Sequence, residues 1–327
     1  MAPISFCIGT RGSALARAQT MLFSTLLQEV HHDLKLEQKI ITTVGDAHPK
    51  MPIHLPTTES SGLFTRQLEE ALLSHEIDYA VHSLKDLPVI TPSGLVLAAI
   101  LPRASSSDLL ITLQPGGLPA LPRKGVIGTS SPRRTEILKN QRSDLSFVAL
   151  RGNVPTRLRK LAMNQAHNPL DGLVLARAGL ERLGYDLKIS EGQGDFIFDE
   201  TRLFITELGM MLPAPGQGAI AIEARAEEGS SSAASYAALL HDEKTARCVT
   251  AERLLLHYLG GGCHMALGAL ATVDETSQLL HLKGIYFPSP GAAARKGEAS
   301  GKTPEEVALL VALQLGDKVA SASSNII

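Results

Sequence analysis

ISFCIGTRGSALARAQTMLFSTL, residues 4–26, decides the fold class. ISFCIGT (4–10) is an apolar run of the right length for a buried strand. Ser13 suits an N-cap, and Leu15, Ala18, Leu22 and Leu26 recur behind it at helical spacing. A strand that runs into a capped helix is the first half of a βαβ unit, and the rhythm repeats. LEQKIITTV (36–44), YAVHSL (79–84) and LVLAAIL (95–101) read as further strands, and Leu68, Ala71 and Leu72 as one face of a helix. Residues 46–61 hold three prolines and read as a long mobile loop, a length uncommon without a function.

RASSSD (103–108) reads as a crossing into a second α/β unit. Its strands are GVIGT (125–129), LSFVAL (145–150) and GLVLA (172–176). Ser130-Ser131-Pro132 and Pro155 open the intervening helices. Residues 163–170 and 189–205 read as surface loops, and the Glu, Gly, Ser and Ala of 226–235 as a linker. A helix over 243–259 places Cys248, Ala251, Leu255 and Leu259 on one stripe and ends at Gly260-Gly261-Gly262. Strands near 265–273 and 278–287 suit an antiparallel pair, and Thr303-Pro304-Glu305-Glu306 is a capping box for the last helix. The expected architecture is α/β: two lobes with mostly parallel sheets, then a smaller α+β C-terminal domain. Expected boundaries are 1–102 with 218–236, then 106–213, then 240–327.

A chain of 327 residues suits two or three domains. Net charge is −2, aromatics are 4% and Trp is absent, which argues against a nucleic-acid surface. Three cysteines without a C-x-x-C pair fit a reducing compartment. MAPISFCIGTRGS lacks the blocks of a secretory signal, and charge, Gly or Pro breaks every apolar run before it reaches membrane length. The expected setting is cytoplasmic, away from membranes. His31-His32 and Cys263-His264 lack partners at ligand spacing, so no metal is expected. Gly216, Gly218 and Ala221 form G-x-G-x-x-A before a strand-like run, the wrong context for a dinucleotide.

T-R-G-S (10–13), T-S-S-P-R-R (129–134) and L-R-G-N-V-P-T-R (150–157) each place Arg where a strand gives way to a helix. Free N–H groups and the helix dipole there favour anions, and the guanidinium fork matches carboxylate or phosphate. Any one of these arginines suits a carbonyl cap or a surface ion pair better. Three together favour a ligand with several anionic groups. V-H-S-L-K-D-L-P (81–88) ends a strand on Lys85-Asp86, so Asp86 suits a general acid or base, against the blander reading of an exposed ion pair. His82 reads as a packed strand residue. Cys7 and Cys248 lie in apolar patterns, whereas Cys263 follows three glycines and suits an accessible thiol.

Further stretches share the pattern of a known family: G-L-F-T-R-Q-L-E (62–69), L-A-R-A-G-L-E-R-L-G (175–184), L-P-A-P-G-Q-G-A (212–219) and E-R-L-L-L-H-Y-L-G-G-G-C (252–263). With the stretches above, they resemble the porphobilinogen deaminase (hydroxymethylbilane synthase) family, in family order. The resemblance implies two lobes like those of periplasmic solute-binding proteins, and a third domain whose cysteine, here Cys263, holds a dipyrromethane cofactor by a thioether. It implies a transferase that joins four porphobilinogens with loss of ammonia, then releases the linear tetrapyrrole by hydrolysis. Asp86 becomes the catalytic acid. Lys85, Ser83, Ser131, Arg133, Arg134, Arg157, Asp46 and Thr129 become cofactor-binding, and Arg11, Ser13, Phe64, Arg151, Arg182 and Gln217 substrate-binding. The family also implies a monomer. One departure stands out. Cys263-His264-Met265-Ala266-Leu267-Gly268 lacks the Pro that the family usually carries there, which leaves the loop less rigid. A two-lobed receptor for an anionic solute would explain the arginines but neither Asp86 nor Cys263. An inactive homologue would not need both.

Overall fold

The computed structural model describes residues 4–43, 65–163, 169–226, 229, 232–262, 265–316 and 319–320. Ser5–Thr10 forms strand β1, and Ser13 caps helix α1 (Ala14–Val30) by accepting from the Ala16 N–H at 3.2 Å. Lys35–Ile40 (β2), Tyr79–Ser83 (β3), Leu95–Ile100 (β4) and Ile220–Arg225 (β11) complete a first sheet of order β2-β1-β3-β11-β4. The face that α1 buries is not the leucine stripe read from the sequence. Ala16, Thr20, Phe23 and Leu27 point inward, and Leu22 is exposed. Phe23 meets Tyr79 edge to face at 5.1 Å, and Gln19 bonds Ser83. Polar Gln19, Thr20 and Ser24 on the buried face hid it from a hydrophobic pattern. Arg66–Leu73 (α2) packs Leu68, Ala71 and Leu72 beneath the same sheet, as expected.

The second sheet contains Asp108–Thr112 (β5), Val126–Gly128 (β6), Ser146–Val148 (β7), Gly172–Ala176 (β8), Gln193–Phe198 (β9) and Thr201–Glu207 (β10), in the order β7-β6-β8-β5-β10-β9. Gly117–Ala120 (α3) is a single turn; Pro132–Gln141 (α4), Val154–Met163 (α5) and Arg177–Arg182 (α6) follow strands β6, β7 and β8. Both sheets are mixed rather than mostly parallel. β2-β1-β3 and β7-β6-β8 are parallel, but β11 and β5 run against their neighbours. The geometry requires it. β3 and β8 end at the edge where β11 and β5 begin, with Ser83 opposite Ile220 and Ala176 opposite Asp108. Residues 189–205, expected as loop, are largely the β9–β10 hairpin, which turns through Asp199 and Glu200 at positive φ. The expected linker runs into a helix, Ala233–Ala238 (α7), whose Ala233 and Ala237 join the first sheet's core.

Ala266–Val273 (β12), Leu280–Phe287 (β13) and Arg295–Gly301 (β14) form a third, antiparallel sheet. Helices Glu243–Tyr258 (α8) and Pro304–Leu315 (α9) cover one face, burying Cys248, Leu255, Leu282, Val311 and Leu315. Ala266, Ile285 and Phe287 pack with Ile137 and Leu138 of α4, so the third sheet is joined to the second through a shared apolar cluster. Val249 of α8 packs with Leu84 and Ile100, which joins it to the first. Among the described residues no helix is long and apolar enough to cross a membrane.

Candidate functional site

β3 ends at Ser83, and Leu84–Asp86 makes one 3₁₀ turn. Leu84 is buried under that turn and Asp86 is exposed at its tip. Lys85, between them, donates to Gln217 Oε1 at 3.3 Å. Gln217 sits in the segment that returns the chain to β11, and it is fully buried. Its amide donates to the Ser106 carbonyl at 2.7 Å and to Asp108 Oδ1 at 3.0 Å. Both chain crossings, near 106 and near 217, are thus stitched together beside Lys85. Gly218 has φ +91°, and a Cβ there would lie 2.6 Å from the Ala104 carbonyl oxygen. Gly218, from the rejected dinucleotide pattern, lets the two crossings touch.

Asp108 opens β5 with no solvent exposure. It accepts from Arg133 Nη1 at 2.7 Å and from Arg134 Nε and Nη2 at 3.1 and 2.6 Å. Both arginines stand in the first turn of α4, where Ser131 is the N-cap and Thr129 Oγ1 accepts from the Ser131 N–H. Burial alone would raise the Asp108 carboxyl, but Arg133 and Arg134 outweigh it and hold it well below the usual carboxylate range. Burial lowers the Lys85 ammonium to about 8, with Asp86 pulling it back up and Arg134 pushing it further down. Burial also lowers Arg157, near the start of α5, and Arg134 adds to this while Asp86 opposes it. Lys85, Arg133, Arg134 and Arg157 therefore share one neighbourhood with Asp86 and Asp108: among the described residues, four cations against two carboxylates. Arg133 Nε is buried with no hydrogen-bond partner among the described residues.

The remaining expected residues fall as follows. Ser13 caps α1, Arg11 precedes it half-buried, and Arg151 is half-buried after Leu150. Ser83 is tied to Gln19. Arg182 donates to the Gly218 carbonyl at 2.6 Å, and burial lowers it to about 10. Gln217, expected to touch substrate, instead has both amide hydrogens and its oxygen committed to protein. Asp46, Phe64 and Cys263 lie outside the described residues. Burial pushes the Cys248 thiol up to about 11 and also raises Cys7, so neither is poised as a nucleophile. His82 is buried against Glu223 at 3.1 Å, a packed residue as read. No cluster of His, Cys, Asp and Glu among the described residues is arranged for a metal.

Several structural partners escaped the sequence reading. Asp108 is one. Glu252, fully buried on α8, takes both Nη atoms of Arg103 at 2.7 and 2.9 Å, and also the backbone N–H groups of Gly216 and Ala271. Arg253, beside it, donates to carbonyls around the Asp86 turn. Asp108 lies 25 residues from Arg133, Glu252 149 from Arg103 and Arg253 169 from Leu84, and no local pattern marks any of these pairs.

The profile described as "Porphobilinogen deaminase, dipyromethane cofactor binding domain" matches residues 6–233, and that of the porphobilinogen deaminase C-terminal domain matches 246–321. The chain belongs to the porphobilinogen deaminase family. Relatives agree along nearly the whole length. The porphobilinogen deaminase of Syntrophomonas wolfei is 39% identical over 298 residues, 91% of this chain and 90% of its own. That of Desulfitobacterium hafniense is 40% identical over 300 residues, 92% and 90% respectively. A probable porphobilinogen deaminase of Methanosarcina acetivorans is 40% identical over 87% of this chain and 82% of its own. Among solved structures, the methionine binding protein MetQ is a slight likeness, with TM-score 0.40 and 10% identity over 75% of this chain and 93% of its own.

Proposed function

We propose that the cationic cluster beside Asp86 carries out the family's reaction. That reaction condenses four porphobilinogens head to tail, with release of ammonia, into hydroxymethylbilane. The supporting observation is the charge surplus: among the described residues four cations face two carboxylates, one of them sealed against Arg133 and Arg134. A protein does not desolvate that much like charge without anions to meet it. Porphobilinogen brings an acetate and a propionate, so its oligomers are ladders of carboxylates. The donor set also fits dipyrromethane, which shares those side chains. Lys85, Arg134 and Arg157 would hold it, joined by the unpartnered Nε–H of Arg133, with Ser83, Ser131, Thr129 and Asp46 beside them. Attached at Cys263, the group supplies a covalent primer for chain growth. Arg11, Ser13, Phe64, Arg151 and Arg182 would take the incoming substrate. Gln217 has a positioning role, aligning Lys85 with Asp108.

Asp86 is exposed at the end of its strand and flanked by Lys85 and Arg157, so it stays within reach of a ligand lying on the arginines. There it donates a proton to the departing amine and faces the positive charge that develops on the substrate ring. As the conjugate carboxylate it then accepts the α-proton. Helix α8 runs into Gly260-Gly261-Gly262 and carries the attachment loop. The proposed division into domains 1–102 with 218–236, 106–213 and 240–327 is supported by one sheet lying within each span. A cytoplasmic setting without nucleic acid or membrane fits the composition, and the family resemblance suggests a monomer. Intact-protein mass spectrometry tests the reading. The wild type is expected to carry a covalent excess of two pyrrole units, and Cys263→Ser none. The same adduct on Cys263→Ser would end the assignment.

A further inference from the structure

Resting on the role proposed for Asp86, we propose that Arg253 is a positioning residue that sets where Asp86 stands. Asp86 has no hydrogen bond to its carboxylate among the described residues, so its place follows from the backbone of its turn. That turn needs outside support. It is a single 3₁₀ turn without a side-chain cap, and Pro88 just beyond it has no N–H to give. Four carbonyls around it converge on one side chain. Arg253 Nη1 donates to Leu84 and Leu87 at 3.4 and 3.2 Å, and Nη2 to Pro88 and Val89 at 2.9 and 3.1 Å. Only arginine offers enough donors in a fixed plane for such a set.

Arg253 is 4% exposed and both its Nη atoms are committed to these backbone carbonyls, so it acts through the turn. It sits on α8, the helix that leads into the attachment loop. The same helix therefore fixes both the catalytic turn and the root of the tether. Because the primer is covalently held, misplacing Asp86 lowers turnover more than apparent affinity for free substrate.

The experiment compares holoenzymes of wild type, Arg253→Lys, Asp86→Asn and the double variant, with rates counted per adduct-bearing chain by intact mass. Lys keeps the charge and loses the fork. Arg253→Lys is expected to lower kcat by about 10- to 100-fold, as sub-ångström misplacement of a reacting group does, with KM changed less than about threefold. In the Asp86→Asn background the same change is expected to cost almost nothing. Hydrogen exchange is expected to quicken in residues 84–90 and not across β12–β14. Unchanged kcat in Arg253→Lys, or an equal fold loss with and without Asp86, overturns the proposal. If Arg253→Lys does not fold, Arg253→Gln takes its place, and collapse of both assigns Arg253 to stability and also overturns it. Normal turnover in Asp86→Asn would instead remove the underlying role of Asp86.

Discussion

Asp108 and Glu252 are both carboxylates with no solvent exposure, and both sit where the chain crosses between sheets. Their company differs. Glu252 faces one guanidinium, that of Arg103, and spends its other capacity on two backbone N–H groups. Its charge is matched one to one. Asp108 faces Arg133 and Arg134 directly and Lys85 across Gln217, with Arg157 further out. It is outnumbered. A balanced buried pair holds a scaffold together, whereas an unbalanced one leaves positive charge for something not yet bound.

Experiments can set these two regions against each other. The largest effect is expected inside the unbalanced region. Asp86→Asn removes the proton donor and is expected to cut turnover by about 10²- to 10⁴-fold, with a melting curve close to wild type because Asp86 is exposed. Near-normal turnover would leave the surplus charge without chemistry.

Next come the carboxylates themselves. Glu252→Gln strands the Arg103 guanidinium and Asp108→Asn those of Arg133 and Arg134, and each is expected to cost about 3–5 kcal/mol in urea unfolding of the adduct-free chain. Loading the adduct should return much of that loss to Asp108→Asn, since its carboxylates replace the missing charge, and little to Glu252→Gln. Equal recovery in both would erase the distinction.

A smaller effect concerns pH. With the Lys85 ammonium lowered to about 8, kcat/KM is expected to fall as pH rises through that value, since the neutral amine no longer attracts carboxylate. Bound carboxylates raise the same group, so the limb in kcat should lie at higher pH. Coincident limbs would take Lys85 out of ligand binding. Smallest of all, Ser131→Ala removes the N-cap of α4 and is expected to cost about 1 kcal/mol in thermal melts.

Legibility from sequence followed physical distance. Strand-helix junctions are local, so β1 with α1 and β6 with α4 were readable, along with the arginines they carry. The helix of 243–258 and the Thr303 cap were readable for the same reason. β14, Arg-Lys-Gly-Glu-Ala-Ser-Gly, was not, because an edge strand with few apolar residues has no hydrophobic alternation to show. α7 was hidden by its small residues. It is Ala and Ser throughout except for Tyr236, and its alanines fill a core without the bulk that marks one. The β9–β10 hairpin turns on Asp199-Glu200, outside the usual Asn-Gly signal. In the site, the arginines announced themselves but their anchors did not. Asp108 lies 109 residues from Gln217 and Glu252 lies 149 from Arg103, separations that only folding closes.

β11 enters the first sheet between β3 and β4, although it is made more than a hundred residues after both. During synthesis the first four strands emerge without the neighbour that joins two of them. The second sheet, drawn from one continuous stretch, has everything it needs sooner. The ribosome therefore delivers the middle of the molecule as a finished unit before its beginning can close. A nascent chain halted ahead of residue 220 would hold a protease-resistant centre beneath an open, digestible amino-terminal third.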